Sequence, residues 1–360
     1  MKRRGAVIPE ALRERARAER VIVALRRCHA GIVGDVRRAL DRWFRRRDYA
    51  SAMAVKGPGA GDWIYAIDAV ADRWVHALAR EVGRVAPARI LCEGVGEILC
   101  GRGEPALRIL VDPIDGTRAL MADLRSAWVL TGIAPEAGEG RGAAGRAPTT
   151  ADLWLSLQSE IPASDRIHRL EYLAIRGKGC FERRIALEGG ASSPPRRFKA
   201  NKTAPARGGY HNFLRYLPDE RALLASVEAG FFDLAKRRLG LDPVRTYDDN
   251  WLCAAGQLWL VAGGRARMCA DLRAWISREI RRPTIASHPY DLCALLVATE
   301  AGAPVLAVDR ELTFPPLAEP LDLMTDVSFV AFTNEATKRR LLPILRKTLA
   351  TFHEAFRRAR

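Results

Sequence analysis

This sequence has neither a disulfide scaffold nor a structural zinc site. Its seven cysteines (28, 92, 100, 180, 253, 269 and 293) are dispersed over 360 residues, and no two form a C-x-x-C pair. An odd, scattered set in a chain of this length reads as reduced thiols, so a cytoplasmic location is expected. No apolar run reaches the roughly 18 residues that a membrane helix needs. The longest, over 251–262, is interrupted by Gln257. The basic start Met-Lys-Arg-Arg is followed by Glu10, Arg13, Glu14 and Arg15 where an export signal would be apolar, so secretion is not expected. There is no G-x-S-x-G elbow and no H-E-x-x-H pair, which excludes two common hydrolase designs. The six histidines (29, 76, 168, 211, 288 and 353) do not cluster. Gly140-Arg-Gly-Ala-Ala-Gly145-Arg146-Ala147 imitates a phosphate loop, but Arg replaces its Lys and Ala its Ser/Thr. Gly57-Pro-Gly-Ala-Gly61 lacks a preceding strand and the dinucleotide-binding spacing.

What is present is ordinary globular material, 48% hydrophobic and 28% charged, with a formal net charge of +16. That excess invites a nucleic-acid reading, but its distribution argues otherwise. Residues 1–47 carry 15 Lys/Arg against 5 Asp/Glu, and residues 338–360 carry 8 against one. The body between them is close to neutral. Both ends have helical periodicity. Val21, Leu25, Cys28, Ile32, Val36, Leu40 and Trp43 form one stripe, and Leu341, Leu345, Leu349, Phe352 and Phe356 form another. The arginines then fall on solvent faces, and no aromatic residues interleave with them to stack bases. A nucleic-acid or membrane partner is therefore not expected, and the alternative left by the basic ends is a non-catalytic module that binds anions or RNA through them.

Between the ends, Ile64, Ile67, Val70, Ala71, Trp74, Val75 and Leu78 follow a helical period. Two apolar runs end in an acid, Ala88-Arg-Ile-Leu-Cys-Glu93 and Leu107-Arg-Ile-Leu-Val-Asp112, and read as buried strands. Further strands are expected over 127–134, 152–159, 170–176, 180–187, 265–270, 304–308 and 327–332. Helices are expected over 219–238, 249–262 and 290–301, the last ended by Gly302. Strands and helices mix without a strict βαβ repeat, so the class is α+β or layered α/β. Gly189-Gly190 and Pro194-Pro195 suggest a division into an N-terminal lobe, 1–195, and a C-terminal lobe, 196–360.

The informative segment is Val111-Asp112-Pro113-Ile114-Asp115-Gly116-Thr117. An apolar strand ends in Asp112, Pro113 fixes a turn, and Asp115 follows three residues on. Two carboxylates at this spacing, with the Ile114 carbonyl between them, can converge on a hard cation. Gly116 lets backbone approach a ligand, and a helix beginning after it would present amide groups to a phosphate. Taken alone, the heptapeptide could equally be an Asp-Pro turn with an N-capping Asp.

It does not stand alone. Asp112-Pro-Ile-Asp-Gly-Thr117 resembles the signature of the inositol monophosphatase-like superfamily of Mg²⁺-dependent, lithium-sensitive phosphatases, which includes fructose-1,6-bisphosphatases and nucleotide bisphosphate phosphatases. Upstream, Ile90-Leu91-Cys92-Glu93 resembles the strand ending in the family's metal-binding Glu. Lys56 and Asp62-Trp-Ile-Tyr-Ala-Ile-Asp68 resemble its metal loop and the Asp that pairs with the motif Thr. Downstream, His288-Pro-Tyr-Asp291, leading to Glu300-Ala-Gly302, resembles the second signature. The matches are ordered over residues 56–305.

The resemblance implies a layered αβαβα sandwich and phosphoric monoester hydrolysis. It implies that Glu93, Asp112, the Ile114 carbonyl, Asp115 and Asp291 hold two or three Mg²⁺, with inhibition by Li⁺. Gly116 and Thr117 would contact the phosphate, and Thr117, paired with Asp68, would orient and deprotonate the attacking water. The implied partner is a small phosphorylated metabolite, and relatives commonly form homodimers. Several positions depart from the family pattern. Gly94 follows Glu93 where relatives often repeat an acid, which makes Glu97 an alternative ligand. Arg118-Ala-Leu follows Thr117, Tyr290 replaces a common Trp, and Thr284 stands where inositol phosphatases place an inositol-binding acid. Inositol specificity is thereby in doubt. Arg245, Arg281 and Arg282 are candidates for gripping a second anionic group.

Overall fold

In the computed structural model, which describes residues 8–58, 63–137, 145–202, 206–215 and 218–358, the N-terminal apolar stripe forms helix α1 (Arg15–Arg45). Val21, Leu25, Cys28, Ile32, Val36 and Leu40 all lie on its buried face. A single turn, α2 (Tyr49–Ala52), leads into a hairpin of β1 (Val55–Pro58) and β2 (Trp63–Tyr65). Here the structure departs from the helical period read from Ile64. Asp68 accepts a hydrogen bond from the Tyr65 amide at 2.7 Å, which fixes a turn, and a 3-10 turn follows at Asp68–Val70. Helix α3 (Asp72–Gly83) begins only after it. Ile67 matches the period because it is buried in the same core as Val75 and Leu78. Asp62 and much of the two glycine-rich segments, 59–61 and 140–144, lie outside the described residues.

The main sheet follows. It contains β3 (Ala88–Cys92), β4 (Gly96–Cys100), β5 (Leu107–Asp115), then the short helix α4 (Thr117–Met121), β6 (Ala127–Pro135), β7 (Leu155–Ile161), β8 (His168–Ile175), β9 (Gly179–Ala186) and β10 (Arg196–Phe198). Its order is β10-β9-β8-β7-β6-β5-β3-β4, antiparallel throughout except for the parallel pair β3 and β5. The rest of the chain supplies β11 (Gly209–Phe213), α5 (Pro218–Leu239), β12 (Thr246–Tyr247), α6 (Ala254–Ala262), β13 (Ala266–Asp271), α7 (Arg273–Ile280), α8 (Leu295–Ala301), β14 (Val305–Ala307), β15 (Phe329–Phe332) and α9 (Glu335–Arg358). The second sheet has the order β12-β11-β13-β15-β14.

Three cores define five layers. Helices α1 and α3 cover one face of the large sheet, packing Ile32, Val75, Ile109 and Val111 together. Helices α6 and α8 fill the space between the sheets, where Leu110, Leu130, Val261, Leu296 and Phe329 meet. Helices α5, α7 and α9 cover the far face of the second sheet through Phe213, Phe231, Trp275, Val330 and Leu345. This is an α+β fold with αβαβα layering. Successive residues of β5 enter different cores, so both faces of the strand are dry and its sequence reads as an unbroken apolar run. The basic termini are the two outer layers. Arg15, Arg27, Arg38 and Arg42 on α1, and Arg339, Arg340 and Arg346 on α9, are exposed. Among the described residues, no helix is long and apolar enough to cross a membrane.

Two expected helices are shorter in the structure, and both differences involve the site. The segment expected to be helical from residue 249 stays extended until Cys253, the N-cap of α6. The segment expected over 290–301 is a 3-10 turn at Pro289–Leu292, followed by α8.

Candidate functional site

The carboxylate pair of the central motif depends on a break in β5. On a regular strand, residues three apart point to opposite faces. Across β5 and β6, however, Asp112 pairs with Leu130 while Asp115 pairs with Trp128, so three steps on β5 oppose two on β6. The extra residue is a bulge, one of the few places a sheet tolerates proline, and Pro113 sits in it. The shift by one residue brings Asp112 and Asp115 to the same side. The Ile114 amide donates to Asp112 Oδ1 at 2.9 Å, which fixes that carboxylate in the bulge.

Neighbouring elements bring the other acids. Strands β3 and β5 run parallel with Cys92 beside Val111, so Glu93 emerges beside Asp112. The chain carrying Asp291 rests directly on the sheet. Ser156 Oγ donates to the Cys293 carbonyl at 2.8 Å, and a Cβ at Gly132 would lie 2.4 Å from that same oxygen. Only glycine on β6 permits this approach. Asp291 also accepts from the His288 amide at 2.6 Å, which orders the 3-10 turn. Each of Asp112, Asp115 and Asp291 offers a carboxylate oxygen, and these atoms all lie within 4.8 Å of one another. Glu93, Ile114, Gly116, Thr117 and Asp68 line the same cleft, which leaves about 60 Å³ for water-sized groups. Asp68, Glu93, Asp112, Ile114, Asp115, Gly116, Thr117 and Asp291 therefore all face one cavity.

The cluster is electrostatically frustrated. Burial, and then the charges of Glu93, Asp115 and Asp291, push the Asp112 carboxyl well above its usual range. Asp112 is fully buried, and among the described residues its Oδ2 has no hydrogen-bond partner. A buried, unpaired carboxylate oxygen facing three other acids fits a bound divalent cation. The donor set is entirely oxygen, which suits Mg²⁺. Burial also raises the Asp115 carboxyl to about 6, even though amides oppose the shift. Those amides belong to α6: Ala254 N donates to Asp115 Oδ1 at 3.2 Å and Ala255 N to Oδ2 at 2.7 Å. The Cys253 thiol lies 3.3 Å from Oδ2. The first turn of α6 thus serves as the cradle of a carboxylate from another element, with the helix dipole favouring the charge.

At the other side of the motif, Gly116 is left-handed at φ 99°, and a Cβ there would press on Cys253 at 3.1 Å. It turns the chain into α4, whose first residue is Thr117. The Thr117 hydroxyl has two acceptors, the Ile114 carbonyl at 2.8 Å and Asp68 Oδ1 at 3.2 Å. Glu97 is elsewhere. It lies on β4 in an ion pair with Arg89, on the surface of the sheet edge.

Three features of the cleft were not among the sequence candidates. The Cys253-Ala254-Ala255 cradle acts through backbone and leaves no side-chain signal. Arg118 lines the cleft with its guanidinium over Tyr65, 5.2 Å from the ring centre. Arg273 also lines it, oriented by bonds to buried Asp271 at 2.6 and 2.9 Å and to Ser287 at 3.1 Å. In contrast, Arg245, Arg281, Arg282 and Thr284 do not line the cleft. Arg245 pairs with Asp242 at the surface.

No protein-family model and no curated protein sequence matches the chain. Solved structures do. The fructose-1,6-bisphosphatase of Leishmania major aligns at a TM-score of 0.64 and 12% identity, over 93% of this chain and 96% of its own. The chain has the fructose-1,6-bisphosphatase fold. An extragenic suppressor protein of Bartonella henselae shares it at 0.57 and 18% identity, over 91% of this chain and 98% of its own. An IMPase of Thermotoga maritima does so at 0.54 and 15%, over 89% and 96%. In this chain the fold brings together, in one cleft, the residues of the two motifs that lie more than 170 positions apart. The fold that the motif resemblance implies and the fold found by structure comparison are the same.

Proposed function

We propose that this protein is a Mg²⁺-dependent phosphatase acting on a small phosphomonoester. One observation carries the reading: carboxylate oxygens of Asp112, Asp115 and Asp291 converge within 4.8 Å, and the buried Asp112 Oδ2 has no hydrogen-bond partner among the described residues. Glu93, Asp112, the Ile114 carbonyl, Asp115 and Asp291 would hold the metal, two or three ions in all. Bound there, Mg²⁺ supplies a Lewis acid for the phosphoryl oxygens and favours ionisation of water. The Gly116 and Thr117 amides would hold the phosphate at the start of α4. Thr117 Oγ1 would accept a hydrogen bond from the attacking water, in line with the leaving oxygen, and Asp68 would draw the hydroxyl proton away from it. The amide cradle of α6 would keep Asp115 aimed and ionised, and Arg273 would add positive charge at the cleft wall.

The structural neighbours support phosphate ester chemistry through what they are called, one a fructose-1,6-bisphosphatase and another an IMPase. The test is phosphate release from inositol 1-phosphate, fructose 1,6-bisphosphate, a nucleoside 3′,5′-bisphosphate and histidinol phosphate, each with and without Mg²⁺ and with added Li⁺. Mg²⁺-dependent, Li⁺-inhibited release from one of them is the expected result. The absence of both phosphate release and Mg²⁺ binding by calorimetry would refute the reading.

A further inference from the structure

A second and wider cleft lies apart from the acidic one. It is a cleft of about 900 Å³ bounded by the loop after α4, the facing ends of β7 and β8, and the outer side of α6. Its size is within the range of small-molecule sites. None of the carboxylates of the acidic site lines it. The floor is indole: Trp128 and Trp259 meet at 5.5 Å between ring centres, and Trp251 lies to the side under Arg125.

The charged groups of this cleft are unequally satisfied. Glu160 accepts from Ser126 Oγ at 2.7 Å and the Leu170 amide at 3.0 Å. Asp123 accepts from Ser164, and Asp165 pairs with Arg166. Arg125 is held by both oxygens of Asp249 at 2.6 and 2.8 Å. Two arginines of the cleft stand apart from these pairs. Arg184 and Arg265 line the cleft and form no ion pair with a described acid, and the Arg265 guanidinium carbon lies over the Trp259 ring, 4.2 Å from its centre. A guanidinium stacked on an indole offers a planar surface and a fork of donors suited to an oxyanion.

We propose that this cleft is a second ligand site, for a small aromatic anion: a planar ring carrying a phosphate, sulfonate or carboxylate. The ring would lie against the indole floor, and the anion would take up the donors of Arg265 and Arg184. The inference is independent of the phosphatase reading.

The probe is 8-anilinonaphthalene-1-sulfonate, titrated by fluorescence into the full chain in EDTA. The expected result is saturable one-to-one binding that weakens at least tenfold in Arg184→Gln/Arg265→Gln. Both arginines are exposed, so the double variant should keep its fold, checked by its unfolding temperature. The uncharged N-phenyl-1-naphthylamine should bind both proteins alike, which would assign the loss to the anion. Equal sulfonate affinity in both proteins would overturn the proposal. So would a solution dimer that Ile167→Asp dissociates, because a second copy would then occupy the cleft.

Discussion

Replacing Asp115 by asparagine should separate catalysis from stability. In the metal-free protein the Asp115 carboxyl is lifted from 3.8 to about 6, chiefly by burial. Keeping it ionised at neutral pH therefore costs about 3 kcal/mol of folding free energy. The sign follows from linkage. A carboxyl whose folded pKa is raised is most stabilising when protonated, below its unfolded pKa, and that stability is lost as pH rises through about 6. About 2 kcal/mol of the loss falls between pH 4 and 7.5. Asparagine does not titrate, so Asp115→Asn removes this slope. It keeps one acceptor oxygen for Ala255 N but turns an NH₂ toward Ala254 N, at a cost of about 1–2 kcal/mol. Urea unfolding in EDTA at several pH values is the assay. At pH 7.5 the variant should match or exceed the wild type, and at pH 4 it should be the weaker protein. Adding Mg²⁺ should then stabilise only the wild type, by about 3 kcal/mol at a hundredfold excess over Kd, and phosphate release by the variant should be abolished. A parallel pH dependence in the two proteins would refute the electrostatic argument. Mg²⁺-responsive turnover by Asp115→Asn would refute the site.

Other positions divide the roles further. Thr117→Ala should lower turnover by about a hundredfold or more while leaving Mg²⁺ affinity within about twofold, and Thr117→Ser should restore most of the rate; joint loss of both properties would make Thr117 structural. Glu93→Gln should weaken Mg²⁺ binding measured by calorimetry at least tenfold, whereas Glu97→Gln, which breaks only an exposed ion pair, should leave it unchanged. Gly132→Ala should destabilise the protein by about 1–3 kcal/mol and weaken Mg²⁺ binding, because its Cβ would force away the Cys293 carbonyl and with it Asp291; unchanged affinity would show that Asp291 does not depend on that contact.

The layered fold was legible where apolar periodicity was long and had one cause. The stripes of α1 and α9 and the strands from β5 to β9 were set by burial alone, and their positions follow from sequence to within a few residues. Periodicity misled where a polar side chain overrode it. Ile64 and Ile67 fit a helical stripe, but Asp68 takes the Tyr65 amide and ends the local chain in a turn. Likewise the apolar segment from residue 251 could have begun a helix earlier. It does not, because Asp249 is fixed by Arg125 and the first amides of α6 are directed to Asp115. In both places an apolar preference yields to a hydrogen bond made by an acid of the site, across one turn at Asp68 and across the chain at Asp115.

The same distinction explains which parts of the cleft were visible. The acids were legible because Asp112-Pro-Ile-Asp-Gly-Thr117 and His288-Pro-Tyr-Asp291 together resemble two ordered signatures, whereas the first alone could equally be a capped turn. Their geometry was not, since the bulge that turns Asp112 and Asp115 to the same face is visible only in the register against β6. Pro113 was its one sequence trace, because proline inside a strand requires an irregularity. The α6 cradle left no trace at all, as alanine amides donate as any amides do. Arg273 left none either, because what fixes it is the burial of Asp271 two residues before, and a buried acid requires a cation. The arginines singled out from the sequence stand instead at exposed turns and pair locally or face solvent, as Arg245 does with Asp242. In a chain this rich in arginine, Arg273 is set apart by Asp271 and Ser287, which hold it at the cleft from behind, a property that depends on tertiary structure.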